Sequence, residues 1–146
     1  MPLLARNSDD YDTTTRQLSC YCLAIIFERL RGGFGDQAVR DLYPKLLKRL
    51  DDSVDDIRKS SCGMLKSFLL CAAPECYRGT MIDYTLDQLF VHLDDPNAEI
   101  QAAVAEVIIA AAQIDKALVE KKAQSAKLSH RKPAMSIAIL EALEKV

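Results

Sequence analysis

At 146 residues, 49% hydrophobic and 27% charged, the chain is long enough for one domain with a substantial core. Its formal net charge of −2 gives no electrostatic footprint for nucleic acid or an anionic membrane. No segment approaches the roughly 18 uninterrupted apolar residues that a membrane helix needs, and Met1 to Arg6 does not lead into a signal-like apolar stretch, so a cytoplasmic protein is expected.

Leu3-Leu4-Ala5 reads as the last turn of a helix, followed by the polar corner Ser8-Asp9-Asp10-Tyr11-Asp12. A first helix this short predicts that further repeats precede it. From Thr13 to Arg31 the spacing predicts a helix that buries Leu18, Cys22, Leu23, Ile26 and Leu30. Gly32-Gly33-Phe34-Gly35 then stops it. Three glycines in four positions could suggest a phosphate loop, but no Lys-Ser/Thr follows and no strand precedes, which favours a helix cap and turn.

A second pair is expected over about Gln37 to Leu50 and Ser53 to Ala72. Its first helix buries Val39, Leu42, Leu46, Leu47 and Leu50 and is kinked at Pro44; its second buries Ile57, Met64, Leu65 and Phe68. Between them lies Leu50-Asp51-Asp52-Ser53-Val54-Asp55-Asp56-Ile57-Arg58, where the acidic run suits a helix start. A third pair runs over about Thr80 to Leu93 and Pro96 to Ile114, with Asp95 a candidate N-cap and Pro96 at the first helical position. Its second helix is apolar nearly all round, so the tail helices, about Asp115 to Lys127 and Ala134 to Lys145, are expected to cover it.

The three corners align. Asp10 and Asp52 stand 42 residues apart, Asp52 and Asp95 43, and Arg16, Arg58 and Gln101 fall at one position. A period of roughly 40 to 47 residues built from helix pairs marks HEAT and armadillo arrays. The central unit resembles the HEAT family at Pro44, Asp52, Ile57 and Arg58. The third unit has Asp87 for the proline and Gln101 for the Arg, so a ladder of Asp–Arg pairs should stop there. The expected fold is all-α: an α-solenoid of antiparallel helix pairs, about three units plus a C-terminal helical cap. Residues 1–146 form a single array, the C-terminal part of a longer one, with units at about 1–31 (partial), 37–72 and 80–114 and a cap at 115–146. Pro44, Asp52, Arg58 and Asp95 are structural, with Asp52 capping the second helix and Arg58 tying the corner, and Asp52→Ala should cost about 1 kcal/mol.

The composition offers little chemistry. Five cysteines lack a C-x-x-C pair and the two histidines lie apart from them, so no metal site is expected; four cysteines read as apolar filler and Cys76 as the one to test for reactivity. The run Lys116, Lys121, Lys122, Lys127, His130, Arg131 and Lys132 has no interleaved aromatic residue, so a solvated helix face accounts for it better than a nucleic-acid patch. His92 aligns with Arg49 on what reads as the outer face. No catalytic constellation is present, and no cofactor or small-molecule substrate is expected. What remains is a protein-binding surface on the second helices, which line the concave side of HEAT arrays. There Gln17, Lys59 and Ala102 align, as do Tyr21, Gly63 and Glu106. Varied residues on a repeating frame suit recognition, although solvent exposure also produces variety. Tyr21, Lys59 and Lys66 are the candidate contacts.

The stretches Tyr43 to Asp52 and Leu86 to Pro96, with Val91-His92-Leu93-Asp94-Asp95-Pro96 at their end, and the turn His130-Arg131-Lys132-Pro133 before a short apolar helix, are similar to the C-terminal end of the HEAT-repeat axonemal dynein assembly factors. The similarity runs over roughly Asp36 to Leu143. It implies a non-enzymatic cytoplasmic scaffold that helps pre-assemble dynein arms of cilia, with dynein chains and chaperone machinery as partners. A general HEAT adaptor of the phosphatase-scaffold or tubulin-cofactor type, and a repeat domain attached to an enzyme, are the alternatives.

Overall fold

The computed structural model describes residues 2–145. The elements in order are α1 (Pro2–Asn7), α2 (Thr13–Arg29), α3 (Asp36–Leu47), α4 (Asp55–Leu69), α5 (Thr80–Leu93), α6 (Ala98–Ser129) and α7 (Ala134–Glu144), with short 3-10 turns at Lys48–Asp51 and Pro74–Cys76. They form two compact units, Met1–Tyr77 and Arg78–Val146.

In the first unit α2 and α4 lie side by side and run the same way, since Phe27 stacks near Phe68 (ring centroids 5.2 Å) while Arg16 meets Asp52 at the corner before α4. Phe34, Phe27, Phe68 and Tyr77 make a chain of ring contacts at 5.6, 5.2 and 5.5 Å. Tyr77 is fully buried and donates its hydroxyl proton to the carbonyl of Phe68; burial pushes that hydroxyl well above its ordinary pKa. The Gly32 N–H, at a positive φ of 77° that favours glycine, donates to the Cys71 carbonyl at 2.7 Å and ties the turn after α2 to the end of α4.

Several expectations change here. The buried side of α2 is Ser19, Cys20, Leu23 and Phe27; Leu18, Cys22 and Leu30 are exposed and Ile26 is half-buried. The helix is apolar on nearly every side, so spacing alone could not choose its phase. Cys22 is therefore exposed rather than filler, and Cys71 lies beyond the end of α4. The helix at Pro44 does not continue to Leu50: α3 ends at Leu47 and tightens into the 3-10 turn. Arg49 is buried, not on an outer face, because Asp52 and Asp9 accept its guanidinium at 3.0 and 2.7 Å.

The corners repeat in atomic detail. Asp10, Asp52 and Asp95 each accept the N–H two residues on, at 2.9, 3.1 and 2.8 Å, which is an Asx turn. The N-caps stand at those later positions, Asp12, Val54 and Asn97, so Asp52 and Asp95 shape the turn before the cap and Pro96 lies outside the helix.

In the second unit α6 packs back on α5 and carries its own break at Asp115 (φ −150°, ψ 87°), whose carboxylate caps the following turn by accepting the Leu118 N–H at 3.0 Å. The part of α6 after the break runs in the direction of α5: Lys122 meets Asp83 and Asp87, the His130 ring lies 6.4 Å from Phe90, and the Lys132 N–H donates to Asp94 at 3.2 Å. Asp87, at the position aligned with Pro44, thus grips the second half of α6. Ile139 and Leu143 of α7 and Val119, Ala123 and Ala126 of α6 are buried in this unit's core.

Candidate protein-binding groove

Helices α2 and α4, held parallel by their apolar sides, leave a groove of about 510 Å³ lined by Gln17, Tyr21 and Ala24 on one wall and Asp56, Lys59, Ser60 and Gly63 on the other. The Gln17 side-chain amide donates to the Tyr21 hydroxyl at 3.4 Å, Lys59 pairs with Asp56 at 3.0 Å, and the Ser60 hydroxyl donates to the Asp56 carbonyl at 2.8 Å. Tyr21 is half exposed. Gly63 is exposed in the interior of α4, and a Cβ built on it meets nothing within 4 Å. Packing therefore does not require a glycine that costs α4 about 1 kcal/mol relative to alanine.

The groove is anchored at one end by a charged cluster. Arg16 forks onto both carboxylate oxygens of Asp52, at 2.9 and 3.1 Å, while its remaining nitrogen donates to the carbonyls of Asp10 and Tyr11. Asp52 also receives Arg49, and Asp9 receives Arg49 and Lys48. Burial works against the Asp52 charge, but the hydrogen bonds from Arg16 and the Val54 N–H, with the charges of Arg16 and Arg49, outweigh it and hold its pKa below the usual 3.8. Asp52 is thus tied to Arg16 of the preceding corner, and Arg58 donates to Asp55 at 2.7 Å. In the third corner Gln101 donates to the Asp95 carbonyl at 2.7 Å, the counterpart of the Arg16 bond to the Asp10 carbonyl, without a charge to reach further.

A designed armadillo repeat protein matches this fold with a TM-score of 0.61 at 19% identity, over 96% of this chain and 63% of the other. The chain has an armadillo-like helical-repeat fold. No protein-family model matches it. This repeat chain is similar to dynein axonemal assembly factor 5 of Homo sapiens (29% identical over 150 residues, 100% of this chain), of Xenopus laevis (26% over 148 residues, 99%) and of Mus musculus (31% over 112 residues, 74%). It spans less than a fifth of the length of each, 17%, 18% and 13% respectively.

Of the three candidate contacts, Tyr21 and Lys59 line one groove, whereas Lys66 is half-buried on α4 outside it. Gln17 and Gly63 belong to the groove too; the alignment of corners placed them on the outward face, and nothing in their chemistry singled them out. The two motifs that carry the resemblance most narrowly, Val91 to Pro96 and His130 to Pro133, meet each other: Lys132 bonds Asp94 through its N–H and the Pro96 carbonyl through its Nζ, at 3.2 and 3.4 Å. They close the turn before α7 onto the end of α5. Among the described residues no cluster of three His, Cys, Asp or Glu could hold a metal ion, and no helix is long and apolar enough to cross a membrane.

Proposed function

We propose that the chain is a non-enzymatic protein-binding scaffold that acts in the cytoplasmic assembly of axonemal dynein arms, with dynein chains and chaperone machinery as partners. The similarity to dynein axonemal assembly factor 5 over 99–100% of this chain carries the reading. The groove between α2 and α4 is its contact surface, with Tyr21 and Lys59 facing the partner. Affinity capture from the cytoplasm of ciliated cells tests it. Recovery of axonemal dynein heavy or intermediate chains, lost in a Tyr21→Glu, Lys59→Glu variant, is the expected result; phosphatase subunits or tubulin with no dynein chain would overturn the assignment while leaving the fold intact.

The same reading makes the chain part of a longer array, with units at 1–31, 37–72 and 80–114 and residues 115–146 as a cap. The exposed apolar line Leu18, Cys22 and Ile25 on α2 supports it, because α4 buries Met64 at the position aligned with Cys22. Light scattering of the isolated chain should show concentration-dependent association. A strict monomer at high concentration would count against a neighbouring repeat on that face.

A further inference from the structure

Ser129 is the last residue of α6, and basic residues flank it on both sides: Lys127 two positions before, then His130, Arg131 and Lys132 directly after. It is exposed, as are Lys127, Arg131 and Lys132. Helical geometry ends immediately beyond it, since His130 is extended (φ −73°, ψ 146°). The last turn is closed by the His130 N–H on the Ala126 carbonyl at 2.8 Å and by the Ser129 hydroxyl on the Ser125 carbonyl at 3.1 Å. Protein kinases take their substrates extended, and a helix end opens at far less cost than a helix interior. Other serines near basic residues lack that placement. Ser125, after Lys121 and Lys122, and Ser60, after Arg58 and Lys59, lie inside helices, and Ser136 is fully buried.

The surroundings decide what a phosphate would do there. Phosphoserine carries a charge of about −2 and three strong acceptor oxygens. At Ser129 it would stand at the negative end of the α6 dipole, where an anion is unfavourable. Ser129 also lines a pocket of about 290 Å³ together with Asp87, Lys122 and His130. Asp83 and Asp87 hold Lys122, while Asp94 and the Pro96 carbonyl hold Lys132 through its N–H and its Nζ, at 3.2 and 3.4 Å. These bonds tie the end of α6 and the turn before α7 to α5. A dianion beside them repels the carboxylates and competes for the same two lysines. We propose that Ser129 is a phosphorylation site for a kinase that selects basic flanks, and that phosphate there loosens α7 and the end of α6 from α5. The transfer joins Ser129 Oγ to the γ-phosphorus of ATP, breaks that phosphorus's bond to the bridging oxygen, releases ADP and passes the hydroxyl proton to the kinase's base. The inference does not depend on which partner the scaffold binds.

The test treats the whole 146-residue chain with ATP and protein kinase C, which selects basic flanks, and in parallel with an acid-directed kinase. Mass spectrometry reads the sites and the extent of modification, and amide hydrogen exchange follows each helix. Protein kinase C should modify Ser129 close to completion, the acid-directed kinase should leave it untouched, and Ser129→Ala should abolish the uptake. After modification the amides of α7 should exchange about fivefold faster or more, while those of α4 stay as they were. Ser129→Ala without phosphate should exchange like the unmodified chain, which separates the effect of the phosphate from loss of the hydroxyl. Uptake at Ser125 or Ser60 in place of Ser129, or no uptake at all, would overturn the site. A phosphate on Ser129 that leaves α7 exchange unchanged, slows it, or speeds α4 equally would overturn the loosening.

Discussion

The two units start from the same corner and hold it differently. In Met1–Tyr77 the residue after the corner is Arg16, which satisfies its own corner's carbonyls and still has a fork left for Asp52, 36 residues away. In Arg78–Val146 the counterpart is Gln101, whose amide satisfies the local carbonyl of Asp95. The first unit fills its core with a chain of aromatic rings; the second uses alanines and branched aliphatic residues along α6 and ties its far half down with Lys122 between two exposed aspartates. Arg and Gln serve one turn equally well, and what separates them is reach and charge.

The largest effect should come from the ring chain. Phe27→Ala removes a fully buried ring that touches two others and should cost about 3–5 kcal/mol, read by chemical denaturation. A loss near 1 kcal/mol would show that the ring chain adds little to the first unit's core. Next is Asp52→Ala. Asp52 has a side chain 3% exposed, and its removal takes the carboxylate from Arg16 and one of two from Arg49, 12% and 9% exposed, so the cost should be about 3 kcal/mol rather than the 1 expected of a helix cap.

The same residue sets an acid limb. Because the folded carboxyl is held below 3.8, its contribution is fully present above that value and is lost as pH falls through the lowered one. Asp52→Asn should therefore flatten the stability profile below about pH 4. An unchanged profile would place the acid sensitivity elsewhere. In the second unit, Gln101→Ala breaks a neutral hydrogen bond and should cost about 1 kcal/mol. The smallest effect belongs to Lys122→Met: its partners Asp83 and Asp87 are 52% and 58% exposed, so a loss of about 0.5 kcal/mol, shrinking further in salt, is expected by thermal melting.

The repeat was legible because one residue type recurs at fixed offsets and does the same thing each time, with Asp10, Asp52 and Asp95 all turning back on the N–H two residues ahead. Which of two neighbouring polar residues would cap the helix was not, since Asp95 and Asn97 are both good cap formers and only the turn decides that Asn97 does it. The phase of α2 was hidden by its apolar surface, and Arg49 looked solvated because Asp9, 40 residues away, lies outside any local window. Half of the groove followed from aligning the corners, which put Tyr21 and Lys59 on corresponding outward faces. Gly63 stood in the same alignment, but the empty space around it is visible only in the fold.

The break at Asp115 reverses the chain without a loop. An uninterrupted helix of 32 residues would run about 48 Å, far past the start of the 14-residue α5. Lys122 returns to Asp83 and Asp87 because one residue leaves helical geometry and its carboxylate starts the next turn. A joint of this kind is set by phase, not by length. One residue inserted beside Asp115 would rotate everything after it by about 100° and carry Lys122, His130 and Lys132 away from α5 together. Between Gly32 and Gly35 the same insertion would shift Phe34 relative to Phe27 but rotate no helix against its partner. The reversal within α6 thus fixes the chain length there more tightly than any loop would.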